Sequence, residues 1–333
     1  MTPKLATIEL IKDIRPHSNA DTLSIVKVLG YEAIVKTGSF FKDDLVVFIQ
    51  PDSVLPDAEW TKVYKSKSSR VKAIKLRGLW SFGVVESLGI LPTHPIQMVV
   101  WTVGQDVSGL LGITHYEPPI PQDLSAKGDL PFGLGITDEE RWQNLEAIPF
   151  GKTVDVTLKI DGSSLTVYCK KVDGEWETGL TSRKLDLKLD KINKYTSIVD
   201  KFNILHKLKE YCTKNNTNLA LRGEMYGSGI QANKVPNPHS VKPLGFAAFS
   251  IFNFDTNAYE GTTSPLYYDN VCRELGIYTV PMIEKGVALT PELIHKYDEE
   301  ITAIQDVPFE GVVIKTDTGE SFKVINKSYD SKK

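Results

Sequence analysis

Val154-Asp155-Val156-Thr157-Leu158-Lys159-Ile160-Asp161-Gly162-Ser163-Ser164 is the segment from which the architecture unfolds. Its first six residues alternate, so in an extended chain Val154, Val156 and Leu158 share one face while Asp155, Thr157 and Lys159 share the other. Asp161-Gly162 then breaks the strand, because both residue types favour turns. A lysine at a strand end, on the face opposite the apolar one and beside an Asp-Gly turn, can reach into a cleft.

The same pattern recurs downstream. In Leu219-Ala-Leu-Arg-Gly-Glu-Met-Tyr226, Ala220, Arg222, Glu224 and Tyr226 lie opposite Leu219, Leu221 and Met225. Phe246-Ala-Ala-Phe249-Ser-Ile-Phe, Glu310-Gly-Val-Val-Ile-Lys315 and Ser321-Phe-Lys323-Val-Ile325 read as further strands. Between them, residues 190–212 carry Ile192, Tyr195, Ile198, Val199, Phe202, Leu205, Leu208 and Tyr211 at helical spacing, which predicts one long amphipathic helix. Pro291 opens a second predicted helix, through Ile304. Thr137 and Glu140 have capping-box spacing and predict a third. The expectation is an α+β domain over 137–333 built on antiparallel sheets flanked by helices. Residues 119–136, rich in Pro and Gly, read as a linker. Residues 1–118 carry short β-rich runs divided by turns, the pattern of a small barrel.

Charge is nearly balanced over the 333 residues, 39 basic against 42 acidic, so a globally basic nucleic-acid binder is excluded. One window departs from this. Thr61–Arg77 holds Lys62, Lys65, Lys67, Arg70, Lys72, Lys75 and Arg77 and no acid, with Tyr64 and Trp80 inside and beside it. It reads either as a phosphate-tracking surface with aromatic platforms or as a solvated basic loop. Lys62, Lys65, Lys67 and Arg70 are the candidate nucleic-acid contacts. The three cysteines have no CxxC spacing, which disfavours disulfide frameworks and structural zinc and fits a reducing compartment, the cytoplasm or a nucleoplasm. No segment reads as a secretion signal or a membrane span. Gly227-Ser-Gly229-Ile-Gln-Ala232 matches a dinucleotide fingerprint, but two prolines follow where that fold needs a helix, so the reading is rejected.

Two lysines and several carboxylates, each on a strand, suit a magnesium–nucleotide site: carboxylates hold hydrated metal, one cation offsets phosphate charge and one amine attacks. On these residues the chain resembles the covalent nucleotidyltransferases, the polynucleotide ligases and capping enzymes. Lys159-Ile-Asp161-Gly162-Ser-Ser looks like their motif I and Ser182-Arg183 like motif Ia. Leu221-Arg-Gly-Glu224 looks like motif III, Phe246-Ala-Ala-Phe249 like IIIa, Glu310–Lys315 like IV and Phe322-Lys323-Val like V. Ser164, where DNA ligases and capping enzymes carry Arg, and the barrel-like amino-terminal part make it most similar to the ATP-dependent RNA ligases with an N-terminal OB domain, the fifth RNA ligase family.

The resemblance implies an OB-fold barrel over 1–118 followed by an ATP-grasp-like transferase domain. It also implies a monomeric RNA-repair enzyme, with ATP as substrate and Mg2+ or Mn2+ as cofactor, sealing 3′-OH/5′-phosphate breaks in RNA or nicked duplex. Lys159 would take AMP, pass it to the 5′-phosphate and be regenerated when the 3′-hydroxyl attacks. Glu310 and Asp161 would hold the metal's waters. Lys323 would contact the α-phosphate, Glu224 the ribose, and Arg183 the ribose or the nucleic-acid 5′-phosphate; Gly162 belongs to the nucleotide cradle. Phe249, or Phe246, would stack on adenine, and Arg141 would touch the γ-phosphate. Nearby cations would depress the Lys159 pKa. Two positions depart from the pattern: Ile325 replaces the second lysine of motif V, with Lys327 off-spacing, and Leu158 replaces a glutamate. A DNA ligase, a capping enzyme or a non-catalytic RNA-binding protein are the competing readings; Asn19–Val28 also looks like tRNA-binding OB modules.

Overall fold

The structure, a computed structural model, describes residues 4–65 (without the Lys65 side chain), 69–92, 100–116, 125–230, 237–240 and 242–330. The protein is of the α+β class, and the chain divides into two compact units, Met1–Pro119 and Ile120–Lys332.

The first unit is a curled five-stranded antiparallel sheet. Strands β1 (Ala6–His17), β2 (Ala20–Val28), β3 (Tyr31–Lys36), β4 (Leu45–Ile49) and β7 (Val84–Ser87) are ordered β3-β2-β1-β4-β7. β1 serves two neighbours. It pairs with β4 over Ala6–Leu10 and with β2 over Ile11–His17, and a register shift between Ile11 and Asp13 lets it bend from one to the other. The β4–β7 connection contains a two-stranded hairpin, β5 (Ile74–Leu76) and β6 (Leu79–Ser81). Next to it, Phe82 N donates to Glu32 O (2.9 Å) and Ile34 N to Ser81 Oγ (2.9 Å), which ties this connection to β3 and closes the barrel. Val26, Val28 and Phe48 are buried in one apolar cluster with Tyr31 and Phe82, and Ile8, Val47 and Ile49 in another, so both faces of β4 are covered.

The second unit has two sheets. A seven-stranded one runs β8 (Ala126–Asp129), β13 (Leu185–Leu187), β12 (Glu175–Thr181), β11 (Ser163–Val172), β14 (Leu219–Tyr226), β15 (Gly245–Asn253), β16 (Ala258–Tyr259). A five-stranded one runs β9 (Glu140–Arg141), β19 (Ser321–Ile325), β18 (Gly311–Lys315), β10 (Thr153–Lys159), β17 (Met282–Ala288). All pairings are antiparallel except β9 with β19. Helices α1 (Lys194–Lys201), α2 (Ile204–Asn215) and α3 (Tyr268–Leu275) bury Ile198, Val199, Leu208 and Val271 with Val167, Leu221 and Ile251 of the larger sheet. Val154, Val156, Val312, Ile314, Phe322 and Val324 bury the opposite side of the smaller one against Ile294 and Tyr297. Each sheet thus hides its apolar face behind helices, leaving the polar faces that carry Glu224 and Lys159 toward each other. No helix among the described residues is long and apolar enough to cross a membrane. Cys169, Cys212 and Cys272 are free and buried.

Four sequence expectations change. The predicted 190–212 helix is two helices, broken at Asn203, which adopts the left-handed conformation (φ 52°), and it starts only after the Asn193 cap, leaving Ile192 exposed. The Pro291 helix stops at His295 and widens into a π-turn over Lys296–Glu300. No helix follows Thr137. Residues 140–141 are captured as an edge strand by Phe322–Lys323, followed by a short 3-10 turn, and Thr137 Oγ1 bonds Ser164 Oγ instead of capping. Sheet pairing across the fold outweighs the local capping signal. The linker composition at 119–136 also conceals β8, which pairs with β13.

Candidate active site

β10 delivers Lys159 to its end as the alternation requires. Its ammonium Nζ donates to Glu310 Oε2 at 2.9 Å, with the lysine one-quarter exposed and the glutamate almost wholly buried. The pairing follows from register: Lys159 faces Gly311 across the β10–β18 ladder, and Glu310 precedes that glycine. Burial pulls the amine's pKa down, but Glu310, Glu224 and Asp161 outweigh it and hold the amine above the ordinary lysine value. The side chains around it thus favour the ammonium form.

Asp161 accepts from Tyr329 Oη at 2.8 Å through Oδ2, and its carbonyl accepts from Asn237 Nδ2 at 2.8 Å. Gly162 is obligatory by contact. A Cβ there would lie 2.3 Å from Met225 O and 2.8 Å from Glu224 Cγ, because β11 turns hard against β14. Glu224 stands on β14 one residue before Met225, on the face opposite the core.

The remaining cations converge on a group the sequence reading passed over. Asp138 forms an ion pair with Arg183. Burial opposes its ionisation, yet Lys323, Arg183 and Lys159 prevail and hold the carboxyl below its usual range. Arg183 is paired with this carboxylate, and Lys323 and Lys159 act on it through space. In the sequence only its place between Thr137 and Glu140, the capping-box pair, marked it.

Backbone irregularity gives the two phenylalanines different surroundings. Arg222 pairs with Ser250 but Gly223 pairs with Ala248, so Phe249 is the extra residue of a β-bulge. The bulge turns Phe249 into a cavity of about 380 Å3, also lined by Lys315, Tyr267, Glu260 and Asp138. Phe246 is packed in the core over Gly223, where a Cβ would meet its ring at 2.3 Å. Lys315, unassigned from sequence, is 95% buried at the end of β18, its Nζ 5.8 Å from the Phe249 ring and 5.4 Å from that of Tyr268. Burial lowers its pKa. His239 stands edge-on to Tyr226, its pKa lowered to about 4 by burial and then by Lys242, against the pull of Glu310.

Other expected residues lie elsewhere. Arg141 is buried and makes two 3.2 Å hydrogen bonds to Asp330. Lys327, the off-spaced lysine, is ion-paired with Asp298 (3.0 Å) and Glu299 (2.6 Å). Ile325 is buried in its strand. In the basic window, Lys62 pairs with Glu59, and Arg70 pairs with Asp52 and lies 4.0 Å over the Tyr116 ring. The Lys65 side chain and Lys67 lie outside the described residues, as do residues 231–232 of the rejected fingerprint.

The site thus combines a strand-end lysine held by a buried glutamate, an arginine–carboxylate pair and a bulged aromatic lining a cavity. The RNA ligase family model matches residues 152–328, and an OB-fold domain model matches residues 5–88. The chain belongs to the RNA ligase family. Among solved structures, Naegleria gruberi RNA ligase with PPi is 29% identical with a TM-score of 0.82. A mutant of the same ligase with ATP and Mn gives 28% and 0.83, and another with AMP and Mn gives 28% and 0.81. In all three, 98% of each chain is covered. Among curated proteins, a sequence comparison finds no match.

Proposed function

We propose that this enzyme is an ATP-dependent RNA ligase that seals 3′-OH/5′-phosphate breaks through a lysyl-AMP at Lys159. The observation that carries the reading is Lys159, held at the end of its strand by the buried Glu310 at 2.9 Å, with the Arg183–Asp138 ion pair in the same site. Lys159 attacks the α-phosphate, pyrophosphate leaves, and Lys323 offsets the charge that builds on the phosphoryl oxygens. AMP then passes to the RNA 5′-phosphate, and the 3′-hydroxyl displaces it. Glu224 serves the ribose, Phe249 the adenine face, and Arg183 the ribose or the 5′-phosphate. A γ-phosphate contact by Arg141 would require it to leave Asp330, and the buried pair favours a bracing part for it.

Attack needs a neutral amine, so Glu310 must be drawn off Lys159 and the ammonium must give up a proton to solvent before the nitrogen lone pair can form the bond. Among the described residues no three His, Cys, Asp or Glu side chains form a cage for an ion. Glu310 and Asp161 fit instead a divalent cation that keeps its waters and leans on substrate phosphates. When bound, that cation, Mg2+ or Mn2+, would supply the positive charge that releases Glu310 from the amine and offsets the triphosphate.

The test is incubation with labelled ATP and magnesium, then with nicked duplexes differing only in the sugar at the 3′-hydroxyl. The reading expects label on Lys159 and sealing when that sugar is ribose. Label on another residue, or preferential sealing of a deoxyribose end, would reject it.

A further inference from the structure

The RNA-ligase reading leaves open where the OB barrel would meet RNA. In OB barrels the connections between the first and second and between the fourth and fifth strands flank bound oligonucleotides. Here the first is the two-residue turn from His17 to Ala20, and the second is the long β4–β7 connection carrying the β5–β6 hairpin. The two are bonded to each other. His17 Nε2 lies 3.2 Å from Leu76 O, and Asn19 Nδ2 donates to Arg77 O at 3.1 Å. The β1–β2 turn thus pins the hairpin tip.

That tip is chemically unusual. Leu76 pairs with Leu79, so Arg77-Gly78 is a two-residue loop with φ 47° and 95°. Such a loop favours Asn-Gly or Asp-Gly, because asparagine and aspartate tolerate the left-handed region that arginine resists. Arginine stands there, exposed. Lys75, also exposed, lies 5.4 Å over the Trp80 ring, which steadies its ammonium on the hairpin surface. Among the described residues, neither Lys75 nor Arg77 has a side-chain hydrogen bond or ion pair with an acid, whereas Lys62 and Arg70 of the same basic window both do.

We infer that the β5–β6 hairpin is the RNA-docking element of the OB domain: Lys75 and Arg77 contact backbone phosphates, Trp80 positions Lys75, and Arg70 is structural. The inference rests on the proposed ligase function for its choice of partner.

The test uses the full chain and a nicked RNA duplex with a 5′-phosphate, measuring its binding across a salt series alongside lysyl-AMP formation. Arg77→Asn suits the turn and is expected to fold at least as well, and Lys75→Gln is a surface change. The double variant is expected to bind about tenfold more weakly at 0.1 M salt, with the slope of log affinity against log salt reduced by about one per lost phosphate contact. Lysyl-AMP formation should be unchanged. Lys62→Gln removes a charge from the same window and is expected to change neither. An unaltered salt slope in the double variant, or an equal loss per charge in Lys62→Gln, would overturn the hairpin assignment. Absence of lysyl-AMP in the wild type would overturn the ligase reading instead, while the binding comparison would still decide the hairpin.

Discussion

The two units of this protein handle positive charge in opposite ways. In the second unit, Lys159 and Lys315 are recessed on the inner face of one sheet, surrounded by Glu310, Asp155 and aromatic rings. In the barrel, Lys75 and Arg77 stand exposed on a hairpin without an acidic partner among the described residues. A recessed cation is held at one place, which covalent chemistry requires; an exposed one attracts phosphate over a broad area. Burial, more than charge count, separates the two proposed uses.

The largest effect should come from removing the recessed amine. Lys159→Ala is expected to lower AMP–protein adduct by at least about a thousandfold, since the proposed bond is made by the Lys159 amine itself, while the thermal transition persists. Mass spectrometry after ATP exposure reads both wild type and variant, and an undiminished adduct would place the chemistry elsewhere.

Next is the contrast between the two phenylalanines. Phe246→Ala should cost about 3–5 kcal/mol of stability by opening a core cavity. Phe249→Ala should cost less and instead raise the KM for ATP. Denaturant unfolding with adenylylation kinetics distinguishes them, and the opposite assignment would mean that the bulge does not aim Phe249 at the base.

His239 makes a pH prediction. Its folded pKa, about 4, lies below the unfolded value near 6.5, so between these the unfolded state binds more protons and stability falls as pH drops through that window. The loss should approach about 3 kcal/mol, and His239→Gln should remove most of it in urea titrations at pH 4.5 and 7. A variant as acid-sensitive as the parent would relocate the effect.

The smallest effect belongs to Arg70. Its pair with Asp52 is partly exposed, so Arg70→Ala should cost about 1 kcal/mol and leave RNA affinity no weaker than Lys62→Gln does. A large, salt-dependent loss of RNA binding would return Arg70 to the docking surface.

Strand parity made much of the site legible from sequence. Lys159 and Glu224 lie opposite apolar neighbours, and two-residue periodicity transmits that directly to the fold. What escaped depends on events between strands. The Phe249 bulge is a register offset against β14, and two phenylalanines three residues apart look equivalent until the partner strand is known. Asp138 lies outside any periodic segment. The basic window read as one surface because linear charge carries no information about partners. Asp52 and Tyr116, which occupy Arg70, are distant in sequence. The predicted helix after Thr137 failed for the same reason, its residues being claimed by Phe322 and Lys323 from far along the chain.

The clasp between Glu310 and Lys159 also bears on selectivity in time. An ammonium has no lone pair, so while the carboxylate keeps it protonated the side chain is inert toward adventitious electrophiles such as aldehydes or acyl phosphates. On the proposed chemistry, reactivity is thereby postponed until the proper cosubstrate arrives, and the idle enzyme is shielded from irreversible self-modification.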